Sequence, residues 1–358
     1  MAGRVLITGG AGFVGSSLAE RMAAADWHVT VLDNLSRRGS ALNVPRLERR
    51  GINFHHGDVR LAPDRWDLPG FDLIIDCAAE PSVHAGTNTS PLSVSDVNLI
   101  GTLNTLEKAR EDGSAFLFLS SSRVYSIAAL RRIRLKTESD RFVPESDQEV
   151  PGVGPDGIDE SFPCDTFRSF YGASKRAAEL FIQEFAAFYG VRALINRCGL
   201  IAGPHQMARS DQGVVALWIA RHIYGRPLTY TGYGGKGLQT RDVLHPDDLF
   251  ALIERQLDTV ESWEAQIYNV GGGPRLAVSL CELTSLCREV TGSSVPIGRD
   301  PETASVDIPY YVSDTEEVSR TYRWSPKRTV RETVKDISNW IGRHQDELAD
   351  VLDLGKPD

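Results

Sequence analysis

Thr8-Gly9-Gly10-Ala11-Gly12-Phe13-Val14-Gly15, TGGAGFVG, is the stretch whose reading decides the fold. The apolar run Val5-Leu6-Ile7 precedes it, and Ser16-Ser17-Leu18-Ala19-Glu20-Arg21-Met22, which has helical character, follows it. The order is therefore strand, glycine turn, helix. Gly9, Gly12 and Gly15 permit a tight turn, let backbone N–H groups approach a pyrophosphate and let the helix pack close to the strand, while the helix N-terminus adds partial positive charge. Eighteen residues beyond Gly15, the run His28-Val29-Thr30-Val31-Leu32 ends in Asp33, where a carboxylate can accept hydrogen bonds from a ribose diol. These features ask for a dinucleotide, with Gly9, Gly12, Phe13, Val14, Gly15 and Asp33 around it and Asn34, Ser36 and Arg37 in the loop beyond. The charge of Asp33 would repel a 2′-phosphate and selects NAD over NADP; Arg37 and Arg38 are the only features that point the other way.

Downstream the alternation continues. A short helix is expected around Val44 to Arg50, then strands at Ile52-Asn53-Phe54-His55 and at Phe71 to Cys77, a helix from Asp96 towards Arg110, and a strand at Ala115 to Leu119. Asp58, directly after the third strand, can accept from an adenine amino group or serve as a turn or helix-capping aspartate; spacing does not choose. Ala78 and Ala79 are small enough to let a loop pass beside a cofactor. Strands alternating with helices predict an α/β fold of Rossmann type, a doubly wound parallel sheet, followed by a smaller C-terminal α+β lobe. The expected division is 1–200 with parts of 240–275 for the dinucleotide domain, 201–239 and 276–345 for the substrate lobe, and 126–166 as an inserted loop. That insertion is polar and acidic, carries Pro144, Pro151, Pro155 and Pro163, and is long enough to suggest a functional role. After it, Ala177, Ala178, Leu180, Phe181, Phe185 and Phe188 are expected on one helical face, and a sixth strand at Val191 to Arg197.

Composition bounds the answer. A chain of 358 residues is long enough for a large core and two lobes. A formal charge of −9 argues against a nucleic-acid partner. Five cysteines, an odd number with no CxxC pair, indicate neither a zinc site nor a disulfide framework, so no metal is expected. No apolar run reaches membrane-spanning length, and no basic, apolar leader precedes the first strand, so no membrane partner and a cytoplasmic location are expected.

Tyr171 and Lys175 lie four residues apart, hence on one face of a helix. An ammonium there can lower a phenol's pKa and can also hydrogen-bond a ribose. With Ser121 at the end of the preceding strand, the trio would orient a substrate hydroxyl and remove its proton as hydride leaves for nicotinamide. Cys198 is expected as a packed core thiol, His245 as a satisfied turn histidine, and Trp340 as core.

TGGAGFVG, Asp33, Asn98 in VNLIGT, SSSRVY and YGASK together resemble the extended short-chain dehydrogenase/reductase family, whose nucleotide-sugar members carry this order of motifs. The resemblance implies that Ser121, Tyr171 and Lys175 are catalytic, that Asn98 is a helix residue near the active site, and that Asp58 and Val59 form the adenine site. Further stretches, LDNLSRRGSALN, CAAEPSV, GIDESFP, NRCGLIAGP, TRDVLHPDDL and YNVGGG, are similar to those of the CDP-paratose 2-epimerase (CDP-tyvelose epimerase) branch. From that likeness Pro81, Ser82, Ser122, Arg123, Gly199, His205, Gln206, Arg241 and Tyr311 are expected to bind substrate, Arg241 through the pyrophosphate. A dehydratase of the family would carry an Asp-Glu pair where this chain has Ser122-Arg123, so elimination of water lacks its donors. Arg123 in place of a lysine and tyrosines at 310 and 311 in place of tryptophans depart from the branch.

What the resemblance implies is a redox-neutral epimerisation of a nucleotide sugar, CDP-linked by preference, by a homodimer. A UDP-sugar 4-epimerase, a net oxidoreductase releasing NADH and a non-catalytic NAD-sensing scaffold are the alternatives; retention of Tyr171 and Lys175 argues against the last.

Overall fold

The computed structural model describes residues 3–63, 66–87, 90–209 and 212–354. By its internal contacts the chain divides into two compact units: one of 1–124, 169–198 and 250–268, the other of 125–168, 199–249 and 269–358.

The first unit is built on a seven-stranded parallel sheet. Its strands are β1 (Arg4–Thr8), β2 (His28–Asp33), β3 (Asn53–His56), β4 (Leu73–Asp76), β5 (Ala115–Ser121), β6 (Ala193–Cys198) and β7 (Gln266–Val270), in the spatial order β7-β6-β5-β4-β1-β2-β3. The order reverses between β1 and β4, the switch point at which such sheets open a crevice beyond their carboxyl ends. Val5, Leu6 and Ile7 are fully buried, as are Phe116, Leu117 and Phe118, because a central parallel strand is covered on both faces. The expected doubly wound sheet is therefore present, with strand ends within two residues of those read from the apolar runs.

Between β4 and β5 the expected helix is not uniform: Asp96–Ile100 forms a π-helical turn before the regular helix Gly101–Asp112. Such turns are common at functional sites. The helix Phe170–Tyr189 starts at Ser169, whose side chain accepts from the Gly172 amide, and stops at Gly190 in the left-handed conformation at φ 67°. Its buried face is Gly172, Ser174, Lys175, Ala178, Glu179 and Ile182. The expected apolar face is thus corrected. Ala178 is buried and Phe185 packs on the core, but Leu180, Phe181 and Phe188 are 48, 44 and 77 % exposed. Charged residues four apart, Lys175 and Glu179, take the inward face because the sheet offers them partners. Glu179 is fully buried; it receives a two-pronged ion pair from Arg197 on β6 at 2.9 and 2.8 Å, and the Ser120 hydroxyl on β5 donates to it at 2.6 Å.

The second unit contains a four-stranded sheet of Leu200–Ile201, Thr240–Leu244, Ala277–Ser279 and Tyr310–Tyr311. Its core gathers Trp218, Leu283, Cys287, Val334, Ile337, Trp340 and Ile341 from three helices, Val214–Ile223, Leu280–Thr291 and Val330–Arg343. Capping boxes start the last two: Ser279 with Glu282, and Thr329 with Glu332. The inserted loop expected at 126–166 carries secondary structure of its own. It holds the helix Ile127–Arg132 and the antiparallel pairs Leu135–Glu138 with Arg141–Pro144 and Val153–Gly154 with Gly157–Ile158. The first hairpin is tied to Leu238 and Thr240 by backbone and hydroxyl bonds and to Glu282 by Arg141, so it packs with the second unit. Of the range 240–275, residues 250–268 cluster with the first unit and 240–249 with the second.

Among the described residues no helix is long and apolar enough to cross a membrane, and all five cysteines are free thiols.

Two outcomes follow from the buried charges. Glu179→Ala leaves the Arg197 guanidinium buried without its carboxylate, and a loss of about 3–5 kcal/mol is expected by denaturant unfolding. His222, fully buried, is held below its ordinary value of 6.5 first by burial, against its hydrogen bond to the Trp218 carbonyl. The unfolded chain then binds the proton more tightly than the native one, so stability is complete above about pH 6.5 and falls as pH drops through that value. The wild-type Tm should therefore fall more steeply than that of His222→Phe between about pH 6.5 and 5.5; parallel curves would refute it.

Candidate active site

The glycine turn brings backbone to backbone at distances that only glycine tolerates. A Cβ on Gly15 would lie 2.3 Å from the Gly9 carbonyl oxygen, and one on Gly9, which adopts φ +59°, would lie 2.8 Å from Ala78 Cα. Gly12 donates to Gly9 O at 3.0 Å and precedes the helix Phe13–Ala24, so Phe13 and Val14 open that helix with its N–H groups facing the turn. At the end of β2, Asp33 accepts from the Ala11 amide at 3.0 Å and from the Leu35 amide at 2.8 Å. Burial raises its carboxyl above the ordinary value against those amide bonds. Next to it, Asn34 accepts from the Ser36 amide at 3.0 Å and donates to Asp58 at 3.0 Å. The Arg60 guanidinium holds the Asp58 carboxyl well below its usual range. Val59 is buried against Gly101, where a Cβ would come within 2.6 Å of it. Arg37 contributes its carbonyl oxygen to the Ser40 hydroxyl at 2.7 Å.

The structure thus joins Gly9, Gly12, Gly15, Asp33, Asn34, Asp58 and Ala78 along the carboxyl ends of β1 to β4. A space that side chains cannot enter without clashing, a helix N-terminus facing it and an acceptor at the end of β2 together fit a dinucleotide. Asp76 was not singled out in the sequence. Buried in the sheet, it accepts from Thr8 and from Thr102 at 2.8 Å, and the same Thr8 hydroxyl accepts from the amides of Cys77 and Ala78 at 3.2 Å. It therefore positions Cys77 and Ala78; a charged residue closing the apolar run Leu73-Ile74-Ile75 was the available signal.

Asn98 lies in the π-helical turn and is fully buried. Its amide nitrogen donates to Glu80 O and to the Ser174 hydroxyl, both at 3.1 Å, and its oxygen accepts from the Glu80 amide at 2.7 Å. It links the loop after β4 to the helix that carries Tyr171. In that loop the buried Ser82 accepts from the His84 amide at 3.2 Å, and its own amide donates to Glu80 at 3.2 Å; Pro81 stands between them.

Ser121 ends β5, and Tyr171 stands in the first turn of Phe170–Tyr189, near enough for the Ser121 hydroxyl to favour the phenolate. The same hydroxyl accepts from the Arg123 amide at 3.1 Å, in the single turn Ser122–Val124. The phenol does not show the lowered pKa expected from Lys175. Burial raises it, and the Ser121 hydroxyl and the Arg123 charge oppose that rise. The reason is geometric: the Lys175 ammonium donates to Leu119 O at 3.0 Å and lies 4.4 Å over the Phe118 ring. Burial in turn lowers the lysine's own pKa. Cys198, beside them on β6, is buried and pushed up to about 12, the state of a packed thiol.

In the second unit, Gly199, Arg241 and Tyr311 cluster around the strand Thr240–Leu244. A Cβ on Gly199 would touch Ser313 and Asp242 at 3.1 and 3.2 Å. Arg241 donates to Thr240 O at 2.8 Å and to Ile308 O at 2.6 Å, with Asp307 3.6 Å away. Tyr311 is buried, its ring stacked on Tyr125 at 6.0 Å. His205 and Gln206 lie elsewhere: Gln206 is buried and donates to Ile201 O at 3.3 Å, and His205 packs on Trp340 at 5.2 Å. His205 lines a cavity of about 330 Å³ with Asp336, Asn339, Arg343 and His344, to which Gly199, Arg241 and Tyr311 do not contribute. Among the described residues no three His, Cys, Asp or Glu gather as metal ligands.

Residues 5–271 match the model of the NAD dependent epimerase/dehydratase family. The chain is 30% identical to the CDP-paratose 2-epimerase of Salmonella typhi, with 94% of this chain and 98% of that one covered. It is 26% identical to a putative UDP-glucose 4-epimerase of Methanocaldococcus jannaschii, with 94% and 98% covered. Among solved structures, the UDP-glucose 4-epimerase of Thermus thermophilus in complex with NAD superposes with a TM-score of 0.75 at 27% identity, over 95% of this chain and 99% of that one. With a glycine cradle at the carboxyl end of β1, an acceptor closing β2, a serine ending β5 and a tyrosine and lysine on the helix Phe170–Tyr189, the chain belongs to the NAD dependent epimerase/dehydratase family, of the extended short-chain dehydrogenase/reductase type, and is an NAD-dependent enzyme.

Proposed function

We propose that this enzyme is a nucleotide-sugar epimerase acting on a CDP-linked sugar at C2, in the manner of the CDP-paratose 2-epimerase it resembles. The observation that carries the reading is Ser121 at the end of β5 beside Tyr171, with Lys175 one turn further along the helix of Tyr171. Gly9, Gly12, Gly15 and Asp33 would hold NAD, which when bound supplies a reversible hydride acceptor and so makes epimerisation through a ketone redox-neutral. Ser121 orients the sugar hydroxyl, and the Tyr171 oxygen takes its proton and later returns it. With its pKa raised by desolvation, the phenol is a weak base alone; the Lys175 ammonium, on the same helical face, stabilises the phenolate when it leaves the Leu119 carbonyl. Arg241 binds the substrate diphosphate. In this reading the first unit is the NAD domain and the second the substrate lobe. Five free cysteines agree with a reducing, cytoplasmic setting. A UDP-sugar 4-epimerase is the second reading, supported by the likeness to the Methanocaldococcus and Thermus enzymes.

A homodimer belongs to the same proposal. Leu180, Phe181 and Phe188 of the helix Phe170–Tyr189 and the neighbouring Leu92 and Ile100 are exposed apolar side chains of the first unit, and a second copy of the same face would bury them.

Tyr171→Phe should lower turnover by roughly 10²–10⁴-fold while NAD stays bound; near-normal activity would remove Tyr171 as the base. The NAD-loaded enzyme, incubated with CDP-, UDP-, GDP- and dTDP-sugars, should give a new C2 stereoisomer of a CDP-sugar by NMR without accumulating reduced nicotinamide. Inversion at C4 of a UDP-sugar would favour the second reading instead. Phe181→Glu combined with Phe188→Glu should halve the mass measured by sedimentation equilibrium; an unchanged mass would place the interface elsewhere.

A further inference from the structure

The helix Ile127–Arg132 lies in the insertion after Tyr125, to which the sequence gave a functional role but no individual residue. One of its side chains converges on the surroundings of Arg241. Arg131 donates from Nε to Asp307 O at 3.1 Å, and from Nη2 to Asp307 O at 2.9 Å and to Ala304 O at 2.7 Å. The Tyr233 hydroxyl donates to the same Asp307 carbonyl at 3.0 Å. Arg241 reaches this segment from the other direction, with Ile308 O at 2.6 Å and the Asp307 carboxylate at 3.6 Å. Both guanidiniums act on the Tyr233 phenol, which burial and the Asp307 charge hold above its ordinary pKa, and Arg131 is within hydrogen-bonding reach of it.

Two guanidiniums and a phenol hydroxyl thus meet around one short segment, whose single acid, Asp307, offsets only one positive charge. Arg241 alone, with the Asp307 carboxylate beside it, would give a diphosphate little net attraction; a second guanidinium restores it. We propose that Arg131 is a second diphosphate-binding residue, so that the segment inserted after Tyr125 supplies phosphate affinity together with Arg241. This rests on the nucleotide-sugar reading above.

The test is calorimetric binding of UDP, CDP, CMP and cytidine to the NAD-loaded protein. Arg131→Met keeps the aliphatic stem and removes the charge. It should weaken CDP and UDP by roughly tenfold or more, the scale of one charge-assisted hydrogen bond, with a shallower salt dependence and little change for cytidine. Arg131→Lys should recover part of the loss. In turnover, KM should rise with kcat nearly unchanged. If Arg131→Met binds CDP and UDP as the wild type does, or if cytidine weakens equally and Arg131→Lys does not recover binding, Arg131 only braces the segment and the inference fails. Arg241→Met separates that failure from failure of the nucleotide-sugar reading. Loss of CDP and UDP binding in Arg241→Met alone overturns the role of Arg131; absence of binding in the wild type overturns both.

Discussion

The first unit depends on how closely the helix Phe13–Ala24 approaches the turn that precedes it. A Cβ at Gly15 would sit 2.3 Å from Gly9 O, closer than any side chain can be, so the helix N-terminus is brought against the end of β1 by the absence of atoms. The Gly9 backbone in turn presses on Ala78, which Asp76 and Thr8 hold from beneath. Glycine turn and loop after β4 are therefore one packed object. Asn98 extends it to the helix of Tyr171 through Glu80 and Ser174.

A second constraint governs the helix of Tyr171. Glu179 and Arg197 are buried together, and Ser120, next to Ser121, joins them. A buried pair of this kind gains little net stability over an apolar one, yet leaves either partner costly to remove. Here it ties the helix Phe170–Tyr189 to the two strands whose ends carry Ser121 and Cys198. The proposed chemistry draws on the same inward face, where Lys175 and Glu179 are successive turns of one helix. Leu180, Phe181 and Phe188 are turned outward in consequence.

Much of this was legible in order along the chain. Glycines at 9, 12 and 15 after an apolar run, and an acid closing the next run, are local statements whose meaning does not depend on distant partners. Tyr171 and Lys175 share a helical face by spacing alone. The helix face itself was misread because hydrophobicity was taken for burial, whereas Lys175 and Glu179 find a carbonyl, a guanidinium and a hydroxyl inside.

The sequence by itself determined the parallel sheet, the glycine turn after β1 and the placing of Tyr171 and Lys175 on one helix, since each is written in short-range patterns of glycine, apolar runs and helical period. Tertiary structure alone decided what Lys175 touches, that burial raises rather than lowers the Tyr171 pKa, that His205 packs on Trp340 apart from Arg241, and that Arg131 reaches the segment at Asp307. Those outcomes depend on desolvation and on groups brought together from positions more than a hundred residues apart, such as the Arg131 guanidinium and the Asp307 carbonyl, and no local pattern encodes them.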